Sequence, residues 1–467
     1  FDFNVFASEL FNAIKVTKTQ SAELEEGSLG ATVDLTTARP FDYSDFTMAA
    51  GVQGSYNDLA QNTDPRATFL VSDRWWDGKL GALFSVAYTK RNTIEEGSSS
   101  GRFRIPGDDG SISISPTTGD CSFTSNRRFY ETVGPISGDP DRSFCPNFTE
   151  DVNDALASAH PRIPRYGRIS YDRERIGSTF TLQFQPYDST TFTYDLLYAD
   201  LKETRHEEFL EAISFARENN TNGLRATDLV SGTVDGNNTL VAATFDDVDI
   251  RVEQRRDNLE TEFFQNVLRM EHEFSDRLRG DFVVRHTRAV QYNPQQTTLS
   301  FERYDVDGYS YDYTDKNLPA FNYGFDVTDP NNFVFSASSA LGDPSLIRMR
   351  PNKAINSFET FAGDLEYDFN DWMTLKGGVS QKTFSFTGYE ERRANPEPLP
   401  ASVLTQLAAE GVGIGAYTDF VTGFGKNMDL PAGTPTTWVV PSIDKLLGLI
   451  DFECDCVNAY GDFRVDA

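Results

Sequence analysis

The chain is short of cysteine, histidine and basic residues, and it has no long apolar run. Only four of its 467 residues are Cys and four are His. His160, His206, His272 and His286 are scattered, and Cys454-Asp455-Cys456 has no further ligands beside it, so no metal site is expected. Lys and Arg total 42 against 71 Asp and Glu, a formal net charge of −29. Phosphate binding needs a basic footprint, so no nucleic-acid partner is expected. The same charge argues against docking on an anionic membrane surface. No stretch of 18 apolar residues occurs, which excludes a transmembrane helix. Membrane-spanning strands stay open, because alternation averages their hydropathy away. Gly-x-Ser-x-Gly, His-Glu-x-x-His and a phosphate-binding Gly-rich loop are all missing. No enzyme activity, catalytic residue or cofactor is therefore expected.

What is present is aromatic content, 13% of the chain, in long period-2 alternation. Phe46, Met48, Ala50, Val52 and Tyr56 share one face. So do Leu80, Ala82, Phe84, Val86 and Tyr88, then Ile176, Ser178, Phe180, Leu182 and Phe184, then Phe192, Tyr194, Leu196 and Tyr198. Phe361, Leu365, Tyr367 and Phe369 alternate with Thr360, Asp364, Glu366 and Asp368. Each strand thus has an apolar and a polar face. About ten strands are read, near 46–57, 66–75, 79–93, 174–186, 190–205, 258–275, 277–292, 355–369, 372–389 and 456–467. The ninth loses its phase after Val379, which suggests a bulge. Tight turns such as Trp75–Lys79 and Phe369–Trp372 alternate with long segments at 95–165, 206–255, 294–350 and 392–450. Trp75, Trp76, Tyr187, Phe369 and Trp372 cluster at the short turns, as an interfacial girdle does. Upstream, Leu10, Phe11 and Ile14 behind Ser8 predict a short helix over 7–14, followed by a strand over 15–19.

Several segments, in order, resemble TonB-dependent outer-membrane receptors of the Xanthomonas and Caulobacter type. Phe6-Ala7-Ser8-Glu9-Leu10 with Val16-Thr17-Lys18-Thr19 resembles the late plug, and the segment from Gly27 to Pro40 its exit into the barrel. Pro161–Arg168, Glu207–Phe215 and Tyr304–Tyr313 resemble later motifs of that group. The resemblance implies an all-β fold. Residues 1–42 would be the end of a plug domain and 43–467 the first ten or so strands of a 22-stranded transmembrane antiparallel barrel. Because the sequence starts inside a motif, it is read as an internal fragment. The implied function is active uptake of a siderophore, oligosaccharide or similar nutrient across the outer membrane. The implied partners are TonB, through a segment upstream of Phe1, an extracellular small molecule, and outer-membrane lipid. A passive porin and a secreted β-rich glycan-binding protein are the alternatives.

Two site expectations complete the reading. Tyr304, Asp305, Asp307, Tyr309 and Tyr311 combine rings that stack on sugars with carboxylates that accept hydroxyl hydrogen bonds; the alternative is a hairpin packing its own tyrosines. Asp305-x-Asp307-Gly308 resembles the opening of a calcium loop, but the later ligand positions do not follow. Cys121 and Cys145 are expected to form a disulfide within a loop, as an oxidising compartment allows.

Overall fold

The computed structural model describes residues 3–19, 30–104, 112–114, 121–123, 129–132, 136–137, 158–216, 227–315, 317–338, 342–393 and 398–466. The turn at Gly27, Cys145, and with Cys145 the expected Cys121–Cys145 bond, lie outside these residues. The chain is all-β with antiparallel main-sheet pairing, and no helix among the described residues is long and apolar enough to cross a membrane.

A short hairpin comes first. β1 (Phe11–Thr17) pairs with β2 (Thr32–Thr37). The expected helix over 7–14 is a single 3-10 turn, Ser8–Leu10, and the strand starts at Phe11. Leu10 and Phe11 have helical spacing to Ile14, yet Ile14 is 67% exposed on the strand. Only Leu10 buries its side chain, so no apolar helical stripe exists to be packed.

The main sheet is a meander of nine strands: β3 (Thr47–Asn57), β4 (Asn62–Trp75), β5 (Leu80–Ser99), β6 (Arg165–Tyr187), β7 (Thr190–Ala212), β10 (Val248–Ser275), β11 (Leu278–Asn293), β16 (Asn352–Asn370) and β17 (Met373–Glu390). β3 and β17 do not pair with each other. Nine of the ten expected strands are present, several longer than alternation alone indicated. The tenth, over 456–467, is not a strand: it is broken into two-residue pieces, Val457–Asn458, Gly461–Asp462 and Val465–Asp466. Phe463 there is fully buried near Phe452, which fixes this segment to a loop core instead of a sheet. The bulge expected after Val379 is also absent. β16 and β17 keep register from Asn352 and Glu390 down to Asp368 and Thr374. The apolar residues, not the backbone, change face, and Phe384 meets Phe358 with ring centroids 4.8 Å apart.

The long loops are structured. β8 (Thr227–Val234), β9 (Leu240–Asp246), β13 (Tyr309–Asp312) and β14 (Ala320–Asn322) form a second sheet. β12 (Gln296–Val306) pairs with the upper part of β10, and β15 (Ile347–Met349) with β12. α1 (Ala401–Ala409), α2 (Ile443–Ile450) and the hairpin of β18 (Thr418–Thr422) with β19 (Thr437–Pro441) complete a cap. Its core includes Trp438, Phe424, Tyr166, Phe321, Phe245 and Phe301, all fully buried.

Candidate functional site

The two faces of the main sheet differ in kind. Along β6, Thr179 and Thr181 are each 1% exposed, while Phe180 between them is 36% exposed. The hydroxyls are hidden and the ring is bare, the reverse of a water-soluble sheet. Register extends this pattern across the strands. Val71, Phe84, Phe180 and Leu196 form one cross-strand row, and Leu80, Phe184, Phe192, Met270 and Phe282 another. Asn266, His286 and Glu359 continue the first row with polar groups, and His286 Nδ1 lies 3.8 Å from Glu359. From Ile176 to Phe184 the bare band covers eight residue steps, about 26 Å along the strand. Trp75, Trp76, Tyr187 and Trp372 are exposed at its turn end.

The opposite, inner face carries the N-terminal segment. Val5, Ala7 and Leu10 pack against Ala87, Ala199, Leu201 and Phe263. Phe6 meets Phe263 edge-on at 4.9 Å. Gly177 permits this approach, because a Cβ there would stand 2.7 Å from Leu10 Cδ1. Polar contacts fix the register. Arg39 Nη2 donates to Asp195 at 2.9 Å, Thr181 donates to the same carboxylate at 2.8 Å, and the Phe41 amide donates to Gln183 Oε1 at 2.9 Å. Arg66 pairs with Glu9, and Arg175 Nη1 donates to the carbonyls of Asn4 and Phe6 at 2.9 and 2.8 Å.

Two charged networks line the same face. Near the turns, Arg269, Asp281, Arg279, Asp364, Glu366 and Lys376 line a cavity of about 700 Å³. Arg279 reaches Glu366 at 2.6 Å and Asp368 at 3.0 Å, and Lys376 reaches Glu366 at 3.3 Å. These carboxylates thus pair with neighbouring strands. At the cap end, Arg165, Glu211, Arg251 and Glu302 alternate in sign across four strands. Arg165 and Glu211 are 3.2 Å apart, and Arg251 and Glu302 2.8 Å. Glu253, one row away, is pushed up to about 7, by burial first and the Glu211 charge second.

The expected ligand residues separate by burial. Tyr304, Tyr309 and Tyr311 are buried, and the latter two stand with Tyr313, Tyr323, Phe215 and Phe245 in the cap core. Burial pushes the Tyr309 and Tyr311 hydroxyls well up. Asp305 and Asp307 are exposed. Asp305 has a left-handed backbone (φ 53°) near the end of β12, and Asp307 lies in the turn to β13, so the carboxylates sit at the surface while the rings enter the core. Cys454 and Cys456 are joined to each other by a disulfide.

No protein-family model matches the chain, and no curated protein does. Among solved structures, BauA, the ferric preacinetobactin receptor from Acinetobacter baumannii, is similar at 10% identity and a TM-score of 0.21, over 85% of this chain and 55% of that one. The pyoverdine outer membrane receptor FpvA from Pseudomonas aeruginosa PAO1, bound to pyoverdine, is similar at 11% identity and a TM-score of 0.15, over 83% of this chain and 65% of that one. The chain therefore spans less than two thirds of either protein's length.

Proposed function

We propose that this chain belongs to an outer-membrane receptor for TonB-dependent active uptake of a scarce nutrient, such as siderophore-bound iron or an oligosaccharide. The supporting observation is the bare apolar band. Ile176, Phe180, Leu182 and Phe184 stay exposed while Thr179, Thr181 and Gln183 are buried, and lipid is the solvent that rewards that arrangement. On strands tilted by about 45° the band's length gives a height of roughly 19 Å, most of the apolar belt of about 25 Å of such barrels. Residues 1–42 serve as the end of a plug and 43–467 as the early barrel strands. The docked segment at 3–10 and 39–42 is the part whose movement opens a path. Ligand arrives at the cap side, and TonB engages a segment upstream of Phe1. Asp305 and Asp307 remain ligand candidates at the cap surface, with Tyr304, Tyr309 and Tyr311 supporting them from the core.

Fractionation of cells that express the full-length protein tests the membrane half of this reading. Recovery in outer membranes, with extraction only by detergent, is expected; a protein free in buffer overturns it. Loss of nutrient uptake on tonB deletion tests the energised half. Steady ion conductance in planar bilayers without TonB would instead mark a passive porin.

A further inference from the structure

The inner face holds a patch where basic side chains face each other. Arg91 on β5 is directly opposite Arg173 on β6. One row below, Arg66 and Arg175 flank Thr89 from either side. Like charges directly opposite in a sheet are destabilising. Two carboxylates answer these four guanidiniums: Glu9 contacts Arg66, and Glu203 contacts Arg173. Arg175 is met by backbone carbonyls. Among the described residues Arg91 has no carboxylate partner, and it is exposed. The surplus of positive charge is notable in a chain with a net charge of −29. Tyr171 adds a platform, with the Arg173 guanidinium 4.2 Å from its ring centroid and that of Arg205 at 6.0 Å. The N-terminal segment at 4–9 forms the floor beside this patch.

We infer that Arg91 and Arg173, with Tyr171 beside them, form an anion site that takes a small ligand carrying at least two oxyanion groups. Guanidinium forks bind carboxylate, phosphate and sulfonate oxygens in pairs, which a lysine pair would not match. A polyanion bridging the two arginines converts their repulsion into two charge-assisted contacts. An aromatic face beside them favours a flat or ring-bearing anion. As a statement about the imported nutrient this rests on the uptake reading. As a statement about an anion site it does not. The position above the docked segment would let the ligand touch both the wall and the part that must move.

The test is a titration of the full-length protein in detergent with pyranine, a flat fluorescent trisulfonate, at low salt. Saturable binding is expected, weakening as salt rises. Arg91→Gln and Arg173→Gln should each weaken it about tenfold, the scale of losing one charge-assisted contact. Arg288→Gln on the outer face should bind as the parent does. Arg91→Gln should also raise the melting temperature, because it relieves the repulsion, whereas a residue kept for structure would lower it. No saturable binding by the parent protein, or parental affinity in the two patch variants, overturns the site. Membrane fractionation of the same samples reports on the uptake reading separately, so either can fail alone.

Discussion

The lower and upper halves of the outer face make an instructive pair. β6, β7 and β10 run through both in unbroken register above Phe184, and apolar residues occupy the same alternate positions towards either end. In the lower half Ile176, Phe180, Leu268 and their neighbours are bare. In the upper half Tyr166, Leu210, Ile250 and Val252 on that face are fully buried under the cap. The border is a row of charge: Lys90, Glu174, Lys202 and Glu260 follow one another across four strands. Lys90 lies 3.6 Å from Asp172 and Lys202 3.5 Å from Glu260. The chain therefore builds a cover for this face where it needs one and stops at a charged line. An apolar face left bare beside one that is covered calls for a different solvent, not a missing loop.

The comparison breaks most visibly if the cap loses its core. Trp438→Ala removes a fully buried ring and should cost about 3–5 kcal/mol. In detergent, urea unfolding should show an early far-UV transition as the cap melts, while the fluorescence of Trp75, Trp76 and Trp372 at the sheet's turns persists. Simultaneous loss of both halves would mean that the cap and the sheet are one cooperative unit. A charge in the bare band sharpens the contrast. Phe180→Lys should cost about 2–4 kcal/mol when folding is measured in lipid bilayers. The same change on a water-facing band would be neutral or helpful, so an unchanged folding free energy in liposomes would count against lipid.

The third probe uses pH. Glu253 lies beyond the charged row, facing Glu211, Arg251, Arg348 and Arg165, with its carboxyl raised from the ordinary 4.5 to about 7. Between those values the folded sheet holds a proton at its cap end that the unfolded chain releases. Its contribution is full below pH 4.5 and is lost as pH rises through about 7, by up to about 3 kcal/mol. Melting curves of the sheet at pH 5 and pH 8 should separate in that direction, and Glu253→Gln should narrow the gap. A sheet whose stability rises over the same window would contradict the raised carboxyl of Glu253.

Much of the sheet was legible because period-2 alternation survives whatever covers it: nine strands follow from it, and the faces of five of them from positions such as Phe180 and Thr181. The cover itself was not legible. Tyr166 and Phe180 look alike in sequence, and what distinguishes them is the tertiary path that brings Pro319, Phe321 and Phe424 over Tyr166. Helical spacing at Leu10, Phe11 and Ile14 misled because three residues can match a 3.6 period without packing on anything. The tyrosines after Tyr304 were read both as a ligand face and as a self-packed hairpin, and period-2 spacing could not show that Tyr309 and Tyr311 enter the cap core. The arginine patch was missed because it joins residues 66, 91, 173 and 175 from three strands. Its one local signal was Tyr171, Arg173 and Arg175 at period two within an acidic chain.

The smallest expected effect concerns the docked segment. Arg39 and Asp195 are both partly buried, and Asp195 also accepts from Thr181. Asp195→Asn keeps a polar group of the same shape and removes the charge, so the loss should be about 1–2 kcal/mol. That is roughly a 5–30-fold rise in the population of the undocked segment. The Phe41 amide, which donates to Gln183, is the reporter, since its hydrogen exchange depends on the segment staying in place. It should exchange faster by about that factor, while amides in the centre of β6 and β7 stay unchanged. Equal acceleration in all of them would mean that Asp195 holds the sheet together and not the segment on it. An unchanged Phe41 rate would mean that the apolar contacts of Val5, Ala7 and Leu10 and the Arg66 and Arg175 contacts hold the segment without Asp195.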